Sequence, residues 1–343
     1  MPELIVTEHV ARNAGHDSFY LAAGPEDGPL LIFVHGWPEL SLSWRHQLPA
    51  MAALGFRCIA PDMRGYGRSS VYDRHEDYAL EAIVGDMLAL LDHLGREQAV
   101  WIGHDWGSPV VWAIASHHPA RCQAVASLCV PYRTIELGLD GMIALVDRAI
   151  YPEETFPAGQ WEYMLYYQEQ FDRVTASMDA DPLGMARLLF RKGNPNGRGK
   201  PTLTAMVRQN DGWFGGAQTP PAVPRDADVI SEQELAAYAA ALTRNGFFGP
   251  NSWYMNHERN RQYGAGAPNG GRLEMPVLFF SAAYDYTCET ATSRLAEPMR
   301  EACADLTWVD VASGHWMAQE RPWQVNGALA RWLATNVPEA WPG

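Results

Sequence analysis

The sequence predicts an α/β fold, with a mostly parallel central sheet flanked by helices and a helical segment inserted late in the chain. Three observations carry this expectation. Short apolar runs recur and stop abruptly at Gly, Pro or Asp; helical periodicities separate them; and the alternation breaks between roughly residues 133 and 268. Strands buried on both faces of a parallel sheet read as continuous apolar runs. Regular alternation of strand and helix implies right-handed parallel connections.

Taken in order, the segment up to about Ala23 reads as an antiparallel hairpin at the sheet edge. Residues 30–34 (LLIFV) form a strand that stops at His35-Gly36, and residues 57–60 form one that stops at Pro61-Asp62. Leu80, Ile83, Val84, Met87, Leu88, Leu91 and Leu94 keep the spacing of one helix face. Residues 99–102 form a strand ending at Gly103, and Ser108-Pro109 opens the next helix, with Pro in the first turn where its missing N–H costs nothing. Residues 124–130, 276–280 and 306–311 are the remaining strands, and Leu329, Trp332, Leu333 and Val337 mark a C-terminal helix. Between them, residues 161–171 and 185–191 look helical, residues 193–224 form a loop rich in Gly, Asn and Pro, and Ser231-x-x-Glu234 is a capping box that opens a helix over 232–242. The simplest division is a core of residues 1–132 and 269–343, with residues 133–268 as a helical cap over the C-terminal sheet edge, where open α/β sheets bind ligands.

The 343 residues carry 26 Lys+Arg against 40 Asp+Glu, a formal net charge of -14. That balance argues against nucleic acid and anionic membrane surfaces as partners, since both need basic patches. Five dispersed Cys without a C-x-x-C pair fit neither a disulfide framework nor a zinc site. The acidic start lacks the features of a signal peptide, and no apolar run reaches the ~18 residues of a membrane span. A soluble, cytoplasmic protein is expected, as a monomer or homodimer. Thirteen Trp and fourteen Tyr fit either an aromatic core or an aromatic-lined pocket.

The strongest local signal is Gly103-His104-Asp105-Trp106-Gly107-Ser108, between a predicted strand and a predicted helix. The frame small-x-nucleophile-x-small allows a sharp turn that lifts the central side chain above the sheet, beside a helix N-terminus. Here the central residue is Asp, so Asp105 is the expected nucleophile. A carboxylate attacking an alkyl carbon makes an enzyme ester, whose own carbonyl water must then attack. That step needs an oxyanion hole and a base. His35-Gly36-Trp37-Pro38 follows a strand and would bring the backbone N–H of Trp37 to join that of Trp106; Trp37-Pro38 is a candidate cis bond. His315 and Asp285 follow the last two predicted strands, so the chain order nucleophile, acid, histidine matches that of α/β-hydrolases. Loops after parallel strands gather at one edge, so the three can meet.

At these residues the chain resembles the soluble epoxide hydrolases of the α/β-hydrolase fold, over about residues 30–333. The stretch from His35 to Glu39 with Ser43-Trp44-Arg45 resembles HGFPE…SWRxQ; Asp62-Met63-Arg64-Gly65-Tyr66-Gly67-Arg68-Ser69 resembles D-x-RGYG-x-S; the elbow resembles GHDWG. In the cap, Tyr163-Met164-Leu165-Tyr166-Tyr167-Gln168 and residues 246–256 (GFFGPNSWYMN) resemble segments that each carry a catalytic tyrosine. The resemblance implies that Tyr163 and Tyr254 meet the epoxide oxygen, with Tyr166 and Tyr167 as the neighbouring rings. Phenols with pKa near ~10 stay protonated at neutral pH and can serve as acids toward an alkoxide. It also implies a small hydrophobic epoxide and water as substrates, and no cofactor or metal. Glu39 could order the hydrolytic water or be a solvated loop carboxylate. Two rivals stand beside this reading. A haloalkane dehalogenase shares the Asp nucleophile but carries Asn or Glu at the position of Trp37 and needs no tyrosine pair. A non-catalytic binding protein of the same fold would typically have lost a triad member.

Overall fold

The computed structural model describes residues 5–13 and 15–343. Its strands are β1 (Thr7–Asn13), β2 (His16–Ala23), β3 (Leu30–Val34), β4 (Arg57–Pro61), β5 (Ala99–His104), β6 (Cys122–Leu128), β7 (Leu273–Ala282) and β8 (Cys303–Val311). They form one sheet in the order β1-β2-β4-β3-β5-β6-β7-β8. β1 and β2 form the expected antiparallel hairpin, β2 joins β4 antiparallel, and every later pairing is parallel. Each residue of β3 and β5 is buried, as continuous apolar runs demand of central strands covered on both faces.

The helix Leu80–His93 buries the face set by its apolar spacing. The helix Gly107–His117 starts two residues after Asp105, and Pro322–Asn336 closes the chain against the core. Boundaries differ from the sequence reading by a few residues, as at β7 and β8, which begin at Leu273 and Cys303 rather than at 276 and 306. β6 ends at Leu128 rather than running on to 130, because Cys129 turns into the left-handed region (φ 72°). The helix expected over 161–171 extends from Glu162 to Asp179 with a kink at Gln170.

Among the described residues, the stretch between β6 and β7 holds only helices and loops. Its later helices include Pro182–Leu189 and Glu232–Asn245, the second opened by the Ser231/Glu234 capping box. No helix among the described residues is long and apolar enough to cross a membrane. All five cysteines are free and buried.

Candidate active site

Because β3, β5, β7 and β8 run parallel, the loops that follow them open at the same edge. Those loops carry Trp37, Asp105, Asp285 and His315. Asp105 takes φ 49°, a conformation that costs a residue with a Cβ free energy and that the surrounding packing must enforce. Glycine is required around it by close approach: a Cβ on Gly107 would lie 2.1 Å from the Val34 carbonyl oxygen, and one on Gly36 would lie 2.5 Å from the Asp105 carboxylate and 2.6 Å from the Trp106 nitrogen.

The Asp105 carboxylate is held from two sides. The Trp37 backbone N–H donates to Oδ1 at 2.6 Å, and His315 Nε2 lies 3.4 Å from Oδ2. His315 Nδ1 donates to Asp285 Oδ2 at 2.6 Å; since a carboxylate only accepts, the proton sits on Nδ1 and Nε2 is aimed at the nucleophile. The other oxygen of Asp285 accepts from the backbone N–H groups of Thr287 (3.2 Å) and Cys288 (3.1 Å). The Tyr286-Thr287-Cys288 stretch thus forms a turn that pins the acid in place. Burial disfavours the charged form of Asp285, but the His315 imidazolium outweighs it and holds the carboxyl below its usual range. Burial likewise disfavours a charged His315, but the Asp285 and Asp105 carboxylates prevail and raise its pKa well above 6.5.

Behind this line lies a second ionic pair. Glu39 is only 1% exposed, so it is not a solvated loop carboxylate. Its Oε2 accepts from the Gly36 backbone N–H (3.0 Å) and His104 Nδ1 (2.7 Å), and its Oε1 from Gln319 Nε2 (3.1 Å). His104 Nε2 is 2.8 Å from the His315 carbonyl oxygen. Each ring nitrogen of His104 faces an atom that can only accept, so both carry protons and the ring is an imidazolium. Burial opposes both charges, but their mutual attraction wins: Glu39 falls to about 2 and His104 rises to about 10. The pair ties the Trp37 turn to the backbone of His315.

Aromatic rings from the helical segment form the roof. Tyr163 and Tyr254 meet edge to face with centroids 5.5 Å apart, and Tyr254 packs against Trp106 (5.1 Å) and Trp37 (6.0 Å). Burial, reinforced by the nearby Asp105 charge, raises both phenols well above 10, so they stay protonated. The neighbouring rings have other partners: the Tyr166 hydroxyl donates to Asp211 at 3.3 Å, and the Tyr167 hydroxyl accepts from the Trp213 indole at 3.0 Å while keeping its own proton free to donate. Trp213 belongs to the 193–224 loop and was invisible to sequence reasoning, because that loop has neither apolar periodicity nor a motif.

Asp105, Tyr163 and Cys288 stand where two chambers meet. One, about 20 Å³, is walled by apolar groups such as Pro109, Val130, Met142 and Leu295. The other, about 180 Å³, contains Trp37, Trp213, Tyr254, His315 and Trp316. Among the described residues, His104, Cys129 and His315, and Asp285, Cys288 and His315, bring potential metal-binding atoms within 4.8 Å of one another. Both groups depend on His315, whose two nitrogens already face carboxylates. The arrangement suits nucleophilic attack by a carboxylate on a small apolar molecule, with acids above and a histidine base behind.

The chain is similar to known proteins over most of its length. The family described as alpha/beta hydrolase fold matches residues 29–322. Epoxide hydrolase A of Mycobacterium tuberculosis is 35% identical over 335 residues, covering 95% of this chain and 97% of that protein. Bifunctional epoxide hydrolase 2 of Sus scrofa is 32% identical over 317 residues, 90% of this chain but 52% of the pig protein. The crystal structure of epoxide hydrolase A from Mycobacterium thermoresistibile superposes with a TM-score of 0.77 at 32% identity, covering 96% of this chain and 99% of that one. An epoxide hydrolase from an endophytic Streptomyces gives 0.76 at 30% identity, with 96% and 95% covered.

Proposed function

The chain belongs to the epoxide hydrolases of the α/β-hydrolase fold, and from that premise we propose that it converts small hydrophobic epoxides to vicinal diols through a covalent ester on Asp105. The observation that carries the proposal is the Asp105 carboxylate itself: a backbone N–H on one oxygen, a histidine at the other, and two protonated phenols above it. Residues 133–268 act as the cap that brings those phenols over the core.

In the first step Asp105 Oδ2 attacks an epoxide carbon. The ring C–O bond breaks, an ester bond forms, and the leaving oxygen takes a proton from Tyr163 or Tyr254. In a buried site a free alkoxide would be costly, so the phenols contribute most as charge develops on that oxygen. Forming the ester removes the negative charge of Asp105, one of the groups that holds the His315 proton. The His315 pKa therefore falls when a base is needed: its released proton balances the one the phenol gave, the neutral imidazole takes a proton from water attacking Cγ of the ester, and that proton goes to the diol oxygen as the Cγ–O bond breaks and the Asp105 carboxylate re-forms. Asp285 stabilises the imidazolium that results. The oxyanion formed on Oδ1 meets the Trp37 N–H, already in place at 2.6 Å, with the Trp106 N–H as the second donor. Glu39 positions this turn through Gly36, and its Oε1, which accepts only from Gln319, keeps a lone pair with which to order the hydrolytic water. The enzyme is proposed to act in the cytoplasm as a monomer or homodimer, without cofactor or metal.

The test is a panel of epoxides and haloalkanes offered to the full chain, with diol and halide both measured. Diol formation that disappears in Asp105→Ala is the expected result. Halide release without diol would replace this reading with that of a dehalogenase.

A further inference from the structure

The 193–224 loop brings one large ring to the centre of the site. Trp213 lies nearly parallel to Trp37, with centroids 6.3 Å apart and planes inclined by 21°, and packs edge-on against Tyr163 at 5.8 Å. It forms part of the wall of the larger chamber that contains Asp105 and His315. Its placement is enforced by the backbone. Asp211 (φ 54°) and Gly212 (φ 122°) precede it and Gly215 (φ 63°) and Gly216 (φ 81°) follow, so left-handed residues on both sides push Trp213-Phe214 inward. The Asp211 carboxylate accepts from Arg173 (2.6 Å) and Tyr166, fastening the near side of the loop to the helix Glu162–Asp179. The indole N–H donates to Tyr167, whose ring packs on Tyr254 at 4.8 Å.

We propose that Trp213 is a specificity-determining residue, which makes the larger chamber select epoxides carrying a flat aryl group over those carrying a flexible alkyl chain. The inference rests on the epoxide hydrolase reading and deepens it. Aromatic groups gain from offset or edge-on contact with other rings beyond their buried area, and here Trp37, Trp213, Trp316 and Tyr163 present ring faces and edges around the same space. An alkyl chain of equal size gains only the area and must give up rotamer freedom to fit.

The test compares kcat/KM for a phenyl-substituted and a hexyl-substituted terminal epoxide in the wild type, Trp213→Leu and Trp213→Phe. The aryl-to-alkyl ratio should fall about tenfold in Trp213→Leu, the size of effect that ring pairing supplies. Trp213→Phe, which keeps a ring but loses the N–H, should hold that ratio within about threefold. A general loss of order in the loop would lower both rates together and leave the ratio alone. If the leucine variant does not fold, Trp213→Met serves the same comparison. A ratio unchanged in the folded leucine or methionine variant overturns the inference while leaving the parent function standing. Wild-type protein that opens neither epoxide overturns the parent function and this inference with it.

Discussion

Replacing Glu39 by Gln removes one negative charge and almost nothing else. The new amide oxygen can still accept from Gly36 and His104. Its NH2 group then meets Gln319, whose Oε1 is buried without a partner and can turn to accept from it. Hydrogen bonds are therefore largely conserved, and the loss is that of the counter-ion to a buried imidazolium. Breaking a buried pair by removing one partner costs about 3–5 kcal/mol, and the retained hydrogen bonds bring the expectation to about 3 kcal/mol. For a chain of this length that lowers the melting temperature by about 4 °C. The pH dependence distinguishes this cause from a packing defect. Glu39 has its pKa depressed from 4.5 to about 2, so its contribution is present above pH 4.5 and fades as pH falls toward 2. His104 is raised from 6.5 to about 10, so its contribution is complete below pH 6.5 and is lost as pH rises toward 10. The stability difference between wild type and Glu39→Gln should be largest between about pH 4.5 and 6.5 and shrink steadily toward pH 10. Urea unfolding of both proteins across pH 5–9.5 measures it. A difference under about 1 kcal/mol at pH 6, or one that stays flat to pH 9.5, would refute the ion-pair reasoning.

The remaining predictions concern chemistry. Tyr163→Phe and Tyr254→Phe should each slow single-turnover ring opening by about 10- to 100-fold, and the double variant should nearly abolish it, with effects that do not add because each phenol partly covers for the other. Wild-type ring opening in both single variants would show that other groups protonate the epoxide oxygen. His315→Gln should still open the epoxide but stall as the Asp105 ester, visible as added substrate mass on the intact protein; absence of an adduct where the wild type turns over would count against the division of labour. In the wild type, hydrolysis of the preformed ester should slow as pH falls through the His315 pKa of the ester state, which lies below that of the free enzyme because Asp105 no longer carries charge. Ester breakdown that stays constant from pH 8 to 5 would argue against His315 as the base.

What the sequence makes legible here is what local chemistry determines. The nucleophile turn could be read because its small residues stand within two positions of Asp105, although the contacts that demand them, Gly107 against Val34 and Gly36 against Asp105, join distant parts of the chain. Asp285 and His315 could be placed because each follows a strand, and parallel topology then brings them to one edge. The environment of Glu39 could not be read, because its partners His104 and Gln319 lie 65 and 280 residues away and no local pattern links them. Trp213 was hidden for a related reason: its position depends on four consecutive or flanking left-handed residues, and a single sequence does not reveal where they point a side chain. The early end of β6 has the same origin, in the left-handed turn at Cys129 beneath His315.

The covalent ester is the centre of the account, and one single-turnover experiment in heavy-oxygen water, with enzyme in excess over epoxide, tests it most directly. If Asp105 attacks carbon and water then attacks Cγ of the ester, the first diol takes its new oxygen from Asp105. The diol comes out unlabelled, and the label appears in the peptide that contains Asp105. If His315 instead activates a water that opens the ring directly, the diol carries the label and Asp105 does not, and that result would contradict the mechanism.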